Sequence, residues 1–377
     1  MIQIKEVITK EQLSEFIEFP DALYKGNKYR VPQLHVFEKA TLLPEKNTAF
    51  EFCEAKFWLA FKGMRIVGRI AGIINHKSNE IWNENVVRFG WIDFTDDFEV
   101  STALIRSVKN WGKSKGMSKM DGPLGFTDLD FHGMLIEGYS ELSTQAVLYN
   151  YPYYPIHLEK YGFEKAVDWI QYEINVPVEV PEKIIRISEL VKQRYGLRIL
   201  KINKAKDILP YAEKMFAVLN ESYANLYGFV ALTDKQIAYY TEQYFSFINP
   251  KYVCFILDKK DDVVGFGITI LSLSKALIKS KGKLFPFGSI HLLNALRKND
   301  TVDMLLQGIK PQYFNKGIPA IFFAEIMQAY IDNGIKKAIS SQALEKNRNA
   351  FLMFENFEHR QHIRSRSYTK NLTLEKQ

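Results

Sequence analysis

Residues 309–320, IKPQYFNKGIPA, join an apolar strand-like run to a helix-like run. A strand, a turn with glycine and lysine, and a helix start often form a phosphate site, because the first backbone N–H groups of the helix face the anion. Gly317 would allow phosphate oxygens to approach the backbone, and Lys316 supplies a nearby cation. Pro319 has no N–H to donate but suits the first turn of a helix. The turn is therefore either a phosphate site or an ordinary turn whose glycine solves a backbone angle.

A second candidate site is the tyrosine-rich segment 149–163, YNYPYYPIHLEKYGF. Aromatic walls with phenol groups suit recognition of a ring, a sugar or an acyl chain, and they suit the packing of one domain on another equally well. The candidate substrate-pocket residues are Tyr149, Asn150, Tyr153 and Tyr154, together with His291 from a later segment.

A small set of acids with a histidine, Asp128, Asp130 and His132, lies in GPLGFTDLDFHG. Its spacing matches no common zinc arrangement, so we predict no metal site.

Length and composition favour a globular protein of two or three domains, because 377 residues with 47% hydrophobic residues can build more than one core. The formal net charge of +7 suits an anionic ligand such as a nucleotide cofactor or RNA, although the excess is spread along the chain and also serves solubility. Cys53 and Cys254 show no metal-ligand spacing, which favours buried, reduced thiols. With no signal-like N-terminus and no run long enough to span a bilayer, we expect a cytoplasmic protein without a membrane partner.

The elements that position these residues occur twice. Residues 55–75 are two apolar, β-rich runs around a charged turn, and residues 252–271 have the same form, so each predicts a β-hairpin. Gly68 and Gly265 occupy equivalent positions at an offset of 197 residues, about half the chain. A further strand and an amphipathic helix follow each hairpin, and both halves close alike, so the sequence predicts two copies of one unit.

The two copies differ by long insertions. The second copy inserts residues 272–297 between its hairpin and its third strand, and the first inserts residues 126–146 before its closing motif. Insertions of this size shape ligand sites or decorate a surface with comparable frequency. Prolines interrupt the pattern at 176–182, which predicts the boundary between domains 1–178 and 179–377.

This order of elements resembles the GNAT acyltransferase fold, and the whole chain resembles a bacterial tandem-GNAT family of poorly defined activity. The segments that carry the resemblance are YRVP (29–32), VGRIAGIIN (67–75), DGPLGFT (121–127) and YNYPYY (149–154). The resemblance implies an α/β (α+β) protein with two GNAT-like domains, each a mixed, mostly antiparallel twisted sheet flanked by helices.

The resemblance also implies an acyl-coenzyme A site. In such a fold the fourth and fifth strands splay apart around the pantetheine arm, and the turn after the fourth strand holds the pyrophosphate. Here Phe314 stands where arginine or glutamine is expected, Gly317 is retained, and Pro319 replaces a small residue. The implied cofactor-binding residues are Ile309, Pro311, Phe314, Asn315, Lys316, Gly317, Ile318 and Asn347. The matching turn of the first half, residues 93–101, carries four acids that would repel phosphate, so we expect a helix cap there.

Acyl transfer to an amine needs a proton acceptor and a group that protonates the departing thiolate. The candidates are Asp303 on the fourth strand of the second half, Glu345 after the fifth, and Tyr368 near the last. Each has a structural alternative: Asp303 can face solvent, Glu345 can cap a helix, and Tyr368 can be a buried sheet residue. A tyrosine expected near Phe354 is absent.

Three functions stay open from the sequence. The first is an acyl-coenzyme A dependent N-acyltransferase acting on a small-molecule or peptide amine, with no DNA partner. The second is a Fem-type transferase that takes its acyl group from aminoacyl-tRNA, although no clustered basic stripe supports RNA binding. The third is a tandem-GNAT scaffold that binds a ligand without turnover. The oligomeric state is left open.

Overall fold

In the computed structural model, residues 1–244 and 248–372 are described. Strands and helices follow one another along the chain, and their bounds are β1 (Ile2–Glu6), α1 (Lys10–Leu23), α2 (His35–Leu42), β2 (Cys53–Lys62), β3 (Arg65–Asn75), α3 (His76–Trp82), β4 (Val86–Phe94), α4 (Phe98–Ser114), β5 (Lys119–Gly122), β6 (Met134–Glu137), α5 (Tyr153–Lys160), β7 (Glu164–Asn175), α6 (Glu182–Tyr195), β8 (Arg198–Ile199), α7 (Ala212–Tyr223), α8 (Asp234–Tyr244), β9 (Val253–Leu257), β10 (Val263–Leu271), α9 (Ser274–Ser280), α10 (Gly288–Arg297), β11 (Thr301–Ile309), α11 (Ile318–Asp332), β12 (Lys337–Ile339), β13 (Ala343–Leu344), α12 (Arg348–Phe351) and β14 (His359–Asn371). No helix in these two ranges is both long and apolar enough to cross a bilayer.

The chain forms two compact units that are not its two consecutive halves. The first unit comprises Met1–Ile170, Leu273–Asn294 and the described residues from Ile363 onward. The second comprises the described residues of Gln171–Ser272 and Ala295–His362. A cut between residues 178 and 179 follows the sequence repeat, whereas compactness assigns the α9–α10 segment and the end of β14 to the first unit.

The sheet of the first unit is mostly antiparallel. The hairpin expected in residues 55–75 is present as β2 and β3, which pair from Cys53↔Asn75 to Lys62↔Arg65. Strand β1 pairs with β2, and β3 pairs with β4, in antiparallel fashion. Strand β5 lies parallel to β4 and antiparallel to the end of β14. Because β4 and β5 pair only at 86–88 and 119–121, the two strands are free to diverge beyond that point.

The second unit repeats this plan. Its predicted hairpin is β9 and β10, and β11 is antiparallel to β10 and parallel to β12. Strand β12 pairs with the end of β7 in antiparallel fashion. Pairing between β11 and β12 stops at Asp303↔Ile339, so these two strands are also free to diverge beyond that pair.

The helices that follow the third strand of each copy lie where the apolar periodicity placed them. In α4 the buried side chains include Val100, Leu104, Val108 and Trp111. In α11 the buried stripe includes Ile318, Ile321, Phe322, Ile326 and Tyr330. Gly116 and Gly334 follow these helices with φ of 80° and 70°, a left-handed conformation that glycine adopts at low cost.

Candidate functional site

A small pocket of about 40 Å³ lies in the first unit, where β4 diverges from β5. We call it the first-unit pocket. The polar and aromatic side chains around it include Arg69, Trp91, Asp93, Tyr149, Asn150 and Tyr154. Three of the residues predicted for a substrate pocket thus line one cavity. Tyr153 lies beside it, and its hydroxyl donates to the carbonyl of Phe94 (2.6 Å).

Two glycines bring β4 and the segment after β5 together before they diverge. A Cβ on Gly90 would lie 2.5 Å from the carbonyl oxygen of Leu124, and one on Gly122 would lie 2.3 Å from that of Phe89. No other residue fits such a close backbone approach. Just beyond it, Trp91 has φ of 44°, and the β3–β4 register shifts, which turns the following side chains toward the pocket.

A buried ionic triad, Glu38–Arg69–Asp93, contributes Arg69 and Asp93 to the lining of the first-unit pocket. The Arg69 guanidinium donates to Asp93 Oδ2 (2.8 Å) and to Glu38 Oε1 (2.8 Å). It also donates to the carbonyl of Phe16 (2.9 Å). Burial disfavours the charged guanidinium, but the two carboxylates outweigh it and raise the pKa of Arg69. Two carboxylates with one cation leave the ionised triad with a formal charge of −1, which favours a cationic ligand next to it.

Two phenols extend this network across the pocket. The Tyr24 hydroxyl donates to Asp93 Oδ1 (2.8 Å) and lies 2.8 Å from the Tyr154 hydroxyl. Because Tyr24 donates its proton to Asp93, the Tyr154 hydroxyl is the donor in its hydrogen bond with Tyr24. The Tyr154 oxygen in turn accepts the N–H of Phe94 (3.0 Å). Burial, reinforced by the Asp93 carboxylate, raises the pKa of both tyrosines well above the ordinary value. Both phenols therefore stay protonated and form a chain of donors that ends at Asp93.

The acidic turn after β4 is a helix cap, as its composition predicts. Asp97 is the N-cap of α4, and its side chain accepts the N–H of Glu99 (3.0 Å) and pairs with Lys62 (3.0 Å). Asp96 lies 3.1 Å from Nε2 of His157. These contacts satisfy the acids within the protein, and their negative charge disfavours a phosphate at this turn.

The set formed by Asp128, Asp130 and His132 lies partly buried in the loop that follows β5. Burial raises the pKa of Asp128 to about 7 and that of Asp130 to about 6, and it lowers the pKa of His132 to about 4. Asp130 Oδ2 accepts the N–H of Thr127 (2.9 Å), which fixes the loop. Within 1–244 and 248–372, no cluster of three or more metal-ligating side chains has the geometry of a metal site.

In the second unit, the turn 310–317 leads from β11 into α11. Gly317 is the N-cap of α11 with φ of 78°, and Asn315 is also left-handed with φ of 59°. The ammonium group of Lys316 lies over the rings of Tyr195 (5.3 Å) and Tyr313 (5.2 Å). A Cβ on Gly317 would lie 3.0 Å from Val191 Cγ2 of α6. The glycine is thus required by backbone angle and packing, and the turn keeps a cation and a helix N-terminus beside it.

Polar side chains of α7 contact β11 beyond its last pair with β12. The Tyr223 hydroxyl donates to the carbonyl of Gln307 (2.9 Å), and the N–H of Ile309 donates to Ser222 Oγ (3.3 Å). In the first unit, Tyr153 and Tyr154 bond the backbone of Phe94 in the same manner. In both units, side chains therefore occupy backbone groups of the strand that diverges.

Asp303 lies at the last β11–β12 pair and is only 2% exposed. Burial raises the pKa of its carboxyl to about 7 against a smaller, opposite effect of the Ser272 hydroxyl. Neither carboxylate oxygen has a hydrogen bond of good geometry among the described residues. Asp303 is thus a buried acid whose protonation changes near neutral pH.

The remaining candidate residues lie apart. Glu345 and Asn347 lie in the turn after β13, where the Asn347 N–H donates to the carbonyl of Leu344 (2.8 Å). Tyr368 belongs to the first unit and Asp303 to the second, and the Tyr368 hydroxyl donates to Glu159 Oε1 (3.1 Å). His291 lies on α10 and does not line the first-unit pocket.

Sequence reasoning missed Tyr24, Glu38, Arg69 and Asp93. A signal for two of them was present, because Arg69 interrupts the apolar run VGRIAGIIN and Asp93 interrupts the apolar run FGWIDF. A charged residue inside a strand that is otherwise buried needs a partner, and a pair of opposite charges on neighbouring strands supplies one. Strands β3 and β4 pair Arg69 with Asp93 directly.

Comparisons with known proteins support the fold. No family model matches the sequence. Protein YghO of Escherichia coli (strain K12) is 25% identical over 98% of this chain and 95% of its own length. The bacterial ceramide synthase of Caulobacter vibrioides is 23% identical over 83% of this chain and 81% of its own length.

Solved structures show the same architecture. A tandem GNAT protein from the clavulanic acid biosynthesis pathway superposes with a TM-score of 0.57 at 9% identity, covering 100% of both chains. A conserved protein of Enterococcus faecalis V583, described as a probable N-acyltransferase, superposes with a TM-score of 0.51 at 10% identity over 99% of this chain and 73% of that one. The fold implied by the sequence resemblance is confirmed: the chain has a tandem GNAT fold.

Proposed function

We propose, from a tandem GNAT fold that spans the whole chain, that the protein is an acyl-coenzyme A dependent N-acyltransferase. The observation that carries the proposal is the strand–turn–helix element β11–α11, in which two strands diverge and the turn 310–317 leads into a 15-residue helix. The N-terminus of such a helix attracts phosphate, and Lys310 and Lys316 add positive charge. These features support a coenzyme site in the second unit.

We assign the coenzyme contacts to the turn itself. Gly317 and Ile318 lie at the start of α11, where backbone N–H groups have no partner within the helix. Phe314 is 46% exposed beside them and can cover the adenine or the pantetheine arm. The bonds of Ser222 and Tyr223 to β11 must open if the arm pairs with this strand.

We assign the amine acceptor to the first-unit pocket. The triad carries a formal charge of −1, and the aromatic side chains of Trp91, Tyr149 and Tyr154 line the same pocket. An anionic, aromatic wall suits an ammonium group. Ceramide is the amide of a long-chain amino alcohol, so the named relative from Caulobacter vibrioides supports an amine with a long apolar tail as the acceptor class.

Transfer needs the ammonium to lose a proton before its nitrogen attacks the thioester carbon. The C–S bond then breaks, and the thiolate leaves with the second proton from nitrogen. We propose Asp93 as the proton acceptor because it borders the pocket and ends the donor chain of Tyr24 and Tyr154. If the amine binds instead beside the coenzyme turn of the second unit, Asp303 is the alternative, because burial raises the pKa of its carboxyl to about 7. If Asp93→Asn lowers the rate in a single turnover while Asp303→Asn does not, the base is Asp93; the reverse result assigns Asp303.

The coenzyme assignment is tested by calorimetric titration with acetyl-coenzyme A and desulfo-coenzyme A. We expect micromolar binding that weakens at least tenfold in Lys316→Glu, whereas Lys336→Glu, an equally exposed reversal elsewhere, binds like the original protein. Gly317→Glu should also abolish binding, with Gly334→Glu at the other end of α11 as its control, since both glycines are left-handed. If neither acetyl-coenzyme A nor desulfo-coenzyme A binds, the assignment is wrong.

The acceptor assignment is tested by product analysis. Protein, long-chain acyl-coenzyme A and a long-chain 2-amino-1,3-diol are incubated, and the amide is measured by mass spectrometry. Tyr154→Phe removes a donor without changing the ring and should lower the yield, while Tyr161→Phe, outside the first-unit pocket, should leave it unchanged. Equal yields from the two variants would remove the pocket from the mechanism.

A ligand-binding protein without turnover is the second candidate. One observation favours it: tyrosine and serine hydroxyls already bond the diverging strand in both units. Coenzyme binding in the titration together with no amide over many hours would support this candidate. Retarded migration of tRNA at low salt, with no coenzyme binding, would instead support an aminoacyl-tRNA dependent transferase.

A further inference from the structure

The segment 272–297 has an unusual charge pattern. No aspartate or glutamate occurs between Asp262 and Asp300, while four lysines at 275, 279, 281 and 283 are all exposed. Among the described residues, only Lys283 of these four has an ion pair, with Glu18 at 3.8 Å, and both partners are more than half exposed. Such a pair contributes little, so the segment presents nearly its full positive charge to solvent.

The same segment exposes large apolar side chains. Phe285 is 83% exposed, Phe287 66%, Ile290 51% and Leu293 54%. We call these four residues the apolar tip. They lie in the link from α9 to α10 and on α10 itself, within nine residues of sequence. A cluster of this density on an exposed surface marks an interaction site.

The apolar tip rests on a fixed base. Ala276, Leu277 and Leu292 of the same two helices are buried in the first unit. The N–H of His35, the first residue of α2, donates to the carbonyl of Gly282 (3.0 Å). A Cβ on Gly282 would lie 2.2 Å from the carbonyl of Gln33, so the segment is closely packed at this point. The exposure of the tip is therefore a property of a packed element.

We propose that the apolar tip and its lysines bind the surface of an anionic lipid bilayer. Phenylalanine and branched aliphatic side chains enter the interface between headgroups and acyl chains, and lysines pair with lipid phosphates while their stems lie along apolar surface. The segment carries lysines and no acid, so its charge is complementary to a uniformly anionic surface such as lipid phosphates, and it offers no acid to the basic residues of a mixed-charge protein partner. The inference is independent of acyl transfer, and it replaces the expectation of no membrane partner at this one surface.

The test is sedimentation of the full chain with vesicles. Phosphatidylcholine vesicles with and without 30% phosphatidylglycerol are compared at 0.1 M salt. We expect binding to the anionic vesicles only. Each lysine near an anionic surface contributes about fivefold in affinity, so Lys279→Gln, Lys281→Gln and Lys283→Gln together should weaken binding about 100-fold.

The apolar contribution is tested by Phe285→Ser with Phe287→Ser, which should weaken binding at least tenfold. The matched control is Ile8→Ser with Met64→Ser, which removes two apolar side chains that are at least as exposed elsewhere on the first unit and should change nothing. In a separate variant, Phe285→Trp should keep binding, and its added emission should shift to the blue on anionic vesicles and be quenched by brominated lipid.

Three outcomes would overturn the proposal. One is failure of the original protein to sediment with anionic vesicles. Another is equal binding by the double phenylalanine variant and its control. The third is a concentration-dependent dimer that forms without vesicle binding and is lost in the double phenylalanine variant, because the tip would then face a second copy of the chain.

Discussion

The buried triad gives a quantitative prediction for Arg69→Met. Arg69 is fully enclosed and donates to two carboxylates and one carbonyl, each at 2.8–2.9 Å. Methionine fills similar space but leaves Glu38 and Asp93 buried without their cation. Removing one partner of a buried ionic group costs about 3–5 kcal/mol, so we expect a loss of about 4 kcal/mol in the free energy of unfolding at pH 8.

The pH dependence of this loss has a defined sign. Without Arg69, desolvation and mutual repulsion favour the protonated, uncharged form of the two buried carboxyl groups in the folded protein. Groups of this kind bind more protons in the folded state, so stability rises as the pH falls. The deficit of Arg69→Met should therefore shrink by at least about 1 kcal/mol between pH 8 and pH 5.

The assay is urea unfolding followed by tryptophan emission. All five tryptophans (Trp58, Trp82, Trp91, Trp111 and Trp169) belong to the first unit, so their emission reports the unit that contains the triad. Arg65→Met is the matched control, because Arg65 lies on the same strand and is exposed. If Arg69→Met costs no more than Arg65→Met, or if its deficit is the same at pH 5 and pH 8, the triad does not act as described.

Two further predictions concern the second unit. Burial raises the pKa of Asp303 from 3.8 to about 7, so the charged form opposes folding. Asp303→Asn should therefore increase the free energy of unfolding by up to about 4 kcal/mol at pH 8 but by little at pH 4. Urea unfolding followed by circular dichroism measures this, with the exposed Asp300→Asn as the control, and an equal increase at both pH values would contradict it. Gly267→Ala should lower the free energy of unfolding by at least about 2 kcal/mol, because the added Cβ would lie 1.8 Å from the ring of Phe322. Gly265→Ala on the same strand is the control: its nearest neighbour, the carbonyl oxygen of Gly308, would lie 3.4 Å from the added Cβ, so this substitution should be tolerated in the same measurement.

Much of the fold could be predicted because its elements are local. The hairpins β2–β3 and β9–β10 follow from alternating apolar runs and a turn, and α4 and α11 follow from their periodicity and terminal glycines. The partner of a strand is a different matter, since pairing is decided by long-range geometry. The sequence repeat assigned residues 363–371 to the second half, but these residues complete the sheet of the first unit.

The candidate site was predictable in part. Tyr149, Asn150 and Tyr154 stood out by composition and line the first-unit pocket. Tyr24 and Glu38 could not be found, because Tyr24 follows α1 and Glu38 lies on α2, distant in sequence from their partners Asp93 and Arg69. The apolar tip could not be predicted either, because Phe285 and Phe287 are of a residue type that is usually buried. Only the structure shows that their side chains are exposed above a packed base.

The division of β14 between the units also affects synthesis on the ribosome. Strand β5 receives its antiparallel neighbour only when residues 368–371 have been made, about 250 residues after Gly122. At about 5–20 residues per second this delay is roughly 12–50 s, during which β5 keeps an unpaired edge and Ile363, Tyr368 and Leu372 are missing from the core. The unit whose chain emerges first is thus completed last. The first unit can therefore become stable only after residues 368–371 have been made, and not when its first half has been translated.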